Sequence, residues 1–208
     1  MSKVLISFVG WFSGWLLDNP TAFNVIRYFL AGKQHRMKKF ISKYLKDYDC
    51  KSVADICCGT GDFAALCDAG VKYVGWDLND DFISYGKNRY SNSKNIKFKK
   101  ANVLKSKDFE NSKFDAVFLI STIHHFSDED LEILLPKVKK IVNKVVIIAD
   151  IIPDPPHAIQ RIIVKFDRGR YVRKKDEKLK ILRKYFKVVK TQSIPTHSAV
   201  QFGIICTK

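Results

Sequence analysis

Val53-Ala54-Asp55-Ile56-Cys57-Cys58-Gly59-Thr60-Gly61-Asp62 is a largely apolar run that ends in two glycines one residue apart. Its reading decides the fold. A strand feeding Gly59-Thr60-Gly61 and then a helix makes a cofactor turn. Glycines let the backbone approach a ligand closely, and the helix N-terminus offers free N–H groups. Gly59 and Gly61 with Ala64 also satisfy a loose dinucleotide-binding fingerprint. Asp55 points to a different ligand. It sits inside the end of the first strand, where nicotinamide folds usually keep an apolar residue, and an acid there suits a ligand carrying an ammonium group.

Outward from this turn, strands and helices alternate. A brief helix over 62–69 ends at Gly70, and a strand over 71–76 ends at Asp77. That acid is placed to accept from ribose hydroxyls. Asn79-Asp80-Asp81 opens a helix with acids in its first turn. Strands follow over 96–100 and 114–120. Asn102, just past the first of these, offers an amide to an adenine edge. Ser127-Asp128-Glu129-Asp130 starts a helix through Leu131, Leu134, Leu135, Val138 and Ile141, and an apolar strand covers 145–152. Such alternation predicts βαβ units and a parallel sheet. Upstream, Asn19-Pro20 signals a helix start. Phe23, Ile26, Phe29 and Leu30 continue it, and Gly32 breaks or bends it. Met37, Phe40, Ile41, Tyr44 and Leu45 give a second amphipathic face. Downstream, Pro153-Asp154-Pro155-Pro156 is a rigid break. A helix over 157–166, the basic turn Arg168-Gly169-Arg170, a helix over 176–185 and two β runs over 186–192 and 199–207 complete the chain. The last two predict a terminal antiparallel pair.

Together these stretches resemble the class I S-adenosylmethionine-dependent methyltransferases. The run from Val53 to Asp62 looks like that family's first motif, and Gly75-Trp76-Asp77-Leu78-Asn79 looks like its second. Lys100-Ala101-Asn102-Val103 resembles its adenine-contacting turn. Phe114-Asp115-Ala116-Val117 with Ser121-Thr122-Ile123-His124-His125-Phe126 resembles the fourth strand and following loop of the small-molecule branch, which includes quinone- and lipid-type enzymes. The resemblance implies an α/β, Rossmann-like fold: a seven-stranded, mostly parallel sheet with a terminal antiparallel pair. It implies one structural domain, with residues 1–50 as a helical lid and 51–208 as the cofactor-binding part. The cofactor implied is S-adenosylmethionine, held by Asp55, Cys57, Gly59, Gly61, Asp77, Leu78, Asn102, Val103, Ile120 and Ser121, with no metal. Three positions depart from the pattern. Cys57 replaces the first glycine, where thiol bulk is expected to tighten the turn. Asn102 replaces Asp, and its carbonyl oxygen still accepts from an adenine amine. Val142-Asn143-Lys144 replaces a glycine turn, which is expected only to reshape a loop. No Asn-Pro-Pro-aromatic sequence follows the fourth strand, which argues against the amide- and adenine-N-methylating branch.

His124 and His125 lie at the carboxyl end of a parallel strand, where open α/β sheets hold their ligands. Either suits a general base near neutral pH. The alternative is that one packs under the sheet and the other caps a loop. Arg168, Arg170 and Tyr171 fall in the insertion that covers the substrate pocket in this fold, and Arg suits carboxylate or phosphate. The basic residues between 165 and 190, Arg173 and Lys178 among them, predict a surface field. Tyr28 and Arg36 precede the first strand and reach over the cofactor or stay on the helix surface.

The chain has 208 residues with 37 Lys plus Arg against 21 Asp plus Glu, a formal charge of +16. That excess favours anionic partners: nucleic acid, an anionic lipid surface or an acidic substrate. Five cysteines with no CxxC pair indicate a reducing compartment, hence a cytoplasmic protein. The apolar stretch over 4–17, with Trp11 and Trp15, is too short to span a bilayer and reads as a lid or an interfacial anchor at the inner membrane face. The sequence therefore predicts methyl transfer to oxygen or carbon of a small or lipid-like acceptor. Nucleic acid is the weaker substrate, because no RNA-binding module is appended. A degenerate fold acting as a binding protein and a nicotinamide oxidoreductase are the remaining alternatives.

Overall fold

A computed structural model describes residues 19–31, 34–67, 70–108, 110–154, 169–196 and 200–208. The expected helix over 157–166, Gly32, Arg168 and the segment bearing Trp11 and Trp15 lie outside the described residues, as do the side chains of Ile26, Phe29 and Leu30.

Helix α1 (Pro20–Ala31) begins where Asn19-Pro20 placed it. The Asn19 side chain accepts from the N–H groups of Thr21 and Ala22, both at 3.0 Å, which satisfies two of the orphan donors of the first turn. Helix α2 (His35–Asp47) buries the five apolar residues its periodicity selected, Met37, Phe40, Ile41, Tyr44 and Leu45. There follow β1 (Ser52–Ile56), a 3-10 turn (Ala64–Cys67), β2 (Lys72–Asp77), α3 (Asp80–Arg89), β3 (Ile96–Lys100), β4 (Phe114–Ile120), a second 3-10 turn (Ile123–His125) and α4 (Asp128–Ile141). The chain ends with β5 (Val142–Ile151), α5 (Lys175–Arg183), β6 (Lys187–Pro195) and β7 (Val200–Thr207).

The strands form one sheet in the order β3-β2-β1-β4-β5-β7-β6. All neighbours are parallel except β7, which runs antiparallel to β5 and to β6. This is the seven-stranded class I methyltransferase fold with the expected terminal pair. Strands covered on both faces need apolar residues at every position, and β4 and β5 have them over 116–120 and 145–149. Alternation divides the core in two. Ala54, Ile56, Val74 and Trp76 face α4, whose buried Leu131, Leu134, Leu135, Val138 and Ile141 contribute about 1.5–3 kcal/mol each. Val53, Tyr73, Phe98 and Phe118 face the α2 cluster. Strand order reverses between β1 and β4, so a crevice opens at their carboxyl ends.

Two expected details change. Within the expected helix over 62–69, Ala64–Cys67 form a 3-10 turn, and short-range bonds from Gly61 to Cys58 and from Ala64 to Gly61 lead into it. No loop separates α4 from β5 either. The helix ends at Ile141 and the strand begins at Val142, so Val142-Asn143-Lys144 starts the strand instead of reshaping a loop.

Gly61 is held at φ +77, and a Cβ there would lie 2.5 Å from the buried Phe98 ring. Gly61→Ala is expected to destabilise the fold by about 2–4 kcal/mol, strain and overpacking combined. Urea denaturation followed by far-UV dichroism checks this.

Candidate active site

The turn after β1 is built from left-handed backbone. Cys57 has φ +59, Gly59 +55 and Gly61 +77. Glycine adopts this region freely, whereas Cys57 does so at a cost of about 1–2 kcal/mol. The Cys57 thiol packs on the α4-side core, and burial pushes it well above the ordinary thiol range, so it is inert. The turn is tied at both ends. The Cys58 N–H donates to the Trp76 carbonyl at 3.0 Å, and the Gly59 N–H donates to Asp77 Oδ2 at 2.8 Å. Asp77 Oδ1 accepts from the Asn79 N–H at 3.0 Å. Asp77 therefore braces the turn besides facing the crevice, and each of its oxygens keeps a lone pair for a ligand hydroxyl. Among the described residues beyond its own chain neighbours, nothing lies within 4 Å of where a Gly59 Cβ would stand, and the neighbouring Leu78 is 62% exposed. From above, α1 reaches the turn: the Thr60 hydroxyl donates to Asn24 Oδ1 at 2.9 Å, and Phe23 packs on Phe82 of α3.

Asp55 is 2% exposed and accepts from the Tyr73 hydroxyl at 2.7 Å. Burial pushes its carboxyl up to about 7, against the smaller opposing effect of the Tyr73 bond. Asn102 differs from expectation. Its Oδ1 accepts from the N–H groups of Leu104 at 3.0 Å and Lys105 at 3.3 Å, so the oxygen expected to meet an adenine amine is engaged by its own turn. Val103 and Ile120 are buried in the two halves of the core. Ser121 has φ +51, donates its N–H to Ala149 at 2.7 Å and accepts from Gln201 Nε2 at 3.0 Å.

The two histidines part company. His124 is buried, and its Nδ1 bonds Asp150 Oδ1 while its N–H donates to Asp150 Oδ2 at 3.0 Å. His125 is exposed, with its ring 4.1 Å from that of His124. Asp150 is fully buried on β5. Burial would raise its carboxyl, but the His124 ring, Lys178 and the Ile151 N–H together hold it below the usual range. Lys178 is 1% exposed; its Nζ lies 4.0 Å from Asp150 Oδ2 and makes no hydrogen bond among the described residues, and burial pushes the amine down. Arg173 is buried too. It donates to Asp128 Oδ1 from Nε at 2.9 Å and from Nη2 at 2.6 Å, and to the carbonyls of Ile123, Tyr171 and Phe126.

Arg173 and Lys178 thus leave the predicted surface field. One clamps the loop after β4, and the other is the counter-charge of Asp150. Sequence reading missed both roles, and Asp150 itself. The available signals were a lone acid inside an apolar strand and a lysine four residues before the buried Leu182. Arg170 and Tyr171 remain exposed beside this loop, where the Tyr171 N–H donates to the His124 carbonyl at 3.0 Å. Arg36 does not reach the turn: its guanidinium donates to the Pro195 carbonyl at 3.4 Å, because α2 packs near β6. Tyr28 is exposed on α1.

Residues 53–144 match a family model described as a methyltransferase domain. The matched stretch takes in β1 to β4, and the strand order is that of the class I methyltransferase fold. A search of curated proteins found no match. Among solved structures, the chain is similar to magnesium protoporphyrin IX methyltransferase from Synechocystis PCC 6803 with S-adenosylhomocysteine bound, at 16% identity over 85% of this chain and 84% of that one, TM-score 0.68. It is also similar to a SAM-dependent methyltransferase from Aquifex aeolicus, at 18% identity over 91% and 98%, TM-score 0.67. An O-methyltransferase family protein from Burkholderia thailandensis aligns at 16% identity over 91% and 59%, TM-score 0.73. These likenesses establish the fold. The described residues fit the methyl donor: an open cradle at Gly59, an acid at Asp77 with lone pairs to spare, exposed apolar surface at Leu78 and, at Asp55, an acid with no salt-bridge partner among them. Among the described residues no helix is long and apolar enough to cross a membrane, and no cluster suits a metal ion.

Removing Asp150 strands the buried Lys178 cation. Asp150→Ala is expected to cost about 3–5 kcal/mol, and Lys178→Met much less. Because the Asp150 carboxyl is depressed in the folded state, its contribution is full above the unfolded carboxylate pKa of about 4 and is lost as pH falls through the lower folded value. Urea titrations at pH 7 and pH 3 check both statements.

Proposed function

We propose that this protein transfers a methyl group from S-adenosylmethionine to an oxygen or carbon atom of a small or lipid-like acceptor. The observation that carries the reading is the buried Asp150–His124 pair beneath the exposed His125, at the carboxyl ends of β4 and β5. The printed names of the structural neighbours, a porphyrin methyltransferase and an O-methyltransferase family protein, support a small acceptor.

On this reading Asp55, Cys57, Gly59, Gly61, Asp77, Leu78, Asn102, Val103, Ile120 and Ser121 form the donor side. Asn102 acts there by shaping its turn. When bound, S-adenosylmethionine supplies an electrophilic methyl group. His125 takes the acceptor's proton as the acceptor atom bonds the methyl carbon. His124 supports that ring from below, and Asp150 fixes the orientation of His124. Arg170 and Tyr171 border the acceptor and suit a carboxylate or phosphate on it. Alignment of acceptor and methyl contributes the larger part of the rate. Within the expected lid, α1 covers the turn through its Thr60 and Phe82 contacts.

Tritiated-methyl transfer into lipid, quinone and RNA extracts tests the acceptor class, and label confined to RNA would overturn the proposal. With the acceptor found, His125→Ala is expected to lower turnover about 100-fold while S-adenosylhomocysteine affinity stays intact. Asp77→Ala is expected to weaken that affinity by about 1.5–3 kcal/mol in calorimetry.

A further inference from the structure

Lys178 brings a charge into the interior without bonding it to anything. Its side chain on α5 is wholly enclosed, and its Nζ makes no hydrogen bond among the described residues. Asp150 Oδ2 lies 4.0 Å away, beyond hydrogen-bond reach. Unpaired donors are costly to bury, so what this side chain offers its surroundings is charge. The Asp150 oxygens are bonded elsewhere. Oδ1 meets His124 Nδ1 and accepts from the Ile151 N–H at 2.8 Å, and Oδ2 accepts from the His124 N–H at 3.0 Å. The other described groups around this pair do not neutralise it. Phe202 stands opposite Asp150 on β7, Arg173 is paired with Asp128, and Glu177 accepts from the Lys174 N–H at the start of α5. The His124 ring has no room to turn, because a Cβ at Gly169 would come 1.9 Å from its Cδ2. The exposed His125 ring lies against it, centroids 4.1 Å apart and planes tilted by 40°. Beside an unopposed carboxylate a histidine is drawn to the imidazolium form. Beside a carboxylate already offset by an ammonium it stays neutral, with its one proton on the nitrogen that the carboxylate meets.

We infer that Lys178 is a positioning residue for the base: its charge offsets Asp150, holds His124 as a neutral ring protonated at Nδ1, and so leaves the adjoining His125 able to take a proton. This rests on the reading of His125 as the base. Without Lys178, the Asp150 carboxylate draws a second proton from solvent onto His124, at Nε2. The imidazolium so formed repels a proton from His125, which then becomes a weaker base. Lys178 touches neither donor nor acceptor in this scheme. It acts through Asp150 and His124, at the distance its enclosure sets.

Long-range proton–nitrogen NMR spectra of the full-length protein, labelled with nitrogen-15 histidine, read the protonation of each ring without any acceptor. His35→Gln, His125→Gln, His157→Gln and His197→Gln assign four signals, and His124 is the fifth. Wild-type His124 is expected to stay neutral and protonated at Nδ1 from about pH 8 to about pH 6, while His125 titrates. In Lys178→Met, His124 is expected to titrate about one unit or more above the ordinary histidine value of about 6.5, and the His125 midpoint to fall. Asp150→Asn combined with Lys178→Met removes both charges and is expected to restore a neutral His124 and the wild-type His125 midpoint. A lysine that only filled space would leave the single and double variants alike. A wild-type His124 that is imidazolium at pH 7, or that carries its proton on Nε2, overturns the inference whether or not the variants fold. So does a His125 midpoint that Lys178→Met leaves unmoved. Full turnover by His125→Ala, with these spectra as expected, overturns the base reading and leaves the charge balance of the pair standing.

Discussion

One carboxylate joins the two loops that border the crevice. Asp77 ends β2, and its two oxygens accept the N–H of Gly59 from the turn after β1 and the N–H of Asn79 at the start of α3. Charge-assisted bonds of this kind are about twice as strong as neutral ones. Without them the left-handed residues Cys57, Gly59 and Gly61 would have little to hold them over the crevice. The Thr122 hydroxyl makes a similar tie on the other side, donating to the carbonyls of Ile56 and Ile120 at the ends of β1 and β4. The crevice is thus bounded by polar contacts between loops, on a sheet whose interior is apolar.

The loop after β4 follows a different logic, fixed by charges that have left water. Asp150 collects the ring and backbone N–H of His124, the N–H of Ile151 and the nearby Lys178, while Arg173 satisfies three carbonyls and Asp128. Buried pairs of this sort add little net stability but are costly to break, which suits a loop that must keep one conformation. The same network links β5 to the loop after β4 and to α5.

The cofactor turn also shows how strain and chemistry coincide. Cys57 accepts a left-handed conformation that glycine would adopt freely, and its neighbour Cys58 fills the space that Gly75 leaves open. The turn is consequently dense with thiols around Asp55, which deepens that acid's isolation from water.

The sequence by itself determined the sheet, its parallel core and the location of the crevice. Strand-length apolar runs, the caps at Asn19, Asn79 and Ser127, and the glycines at 59 and 61 are local signals, and local backbone preferences act before any tertiary contact forms. It also marked Asp55 and Asp77, because acids at strand ends interrupt an apolar pattern. Tertiary structure alone decided the partners. That Lys178 and Arg173 turn inward could not be read from a stretch of evenly spaced basic residues, since burial of a charge depends on a carboxylate or carbonyl supplied by a distant strand. That His124 is buried while His125 is exposed depends on Asp150, 26 residues away in sequence. Asn102 turned its oxygen to its own backbone because a local turn bond forms without a ligand. Pairings across the sheet are set by which faces the fold presses together, and no window of sequence contains both partners.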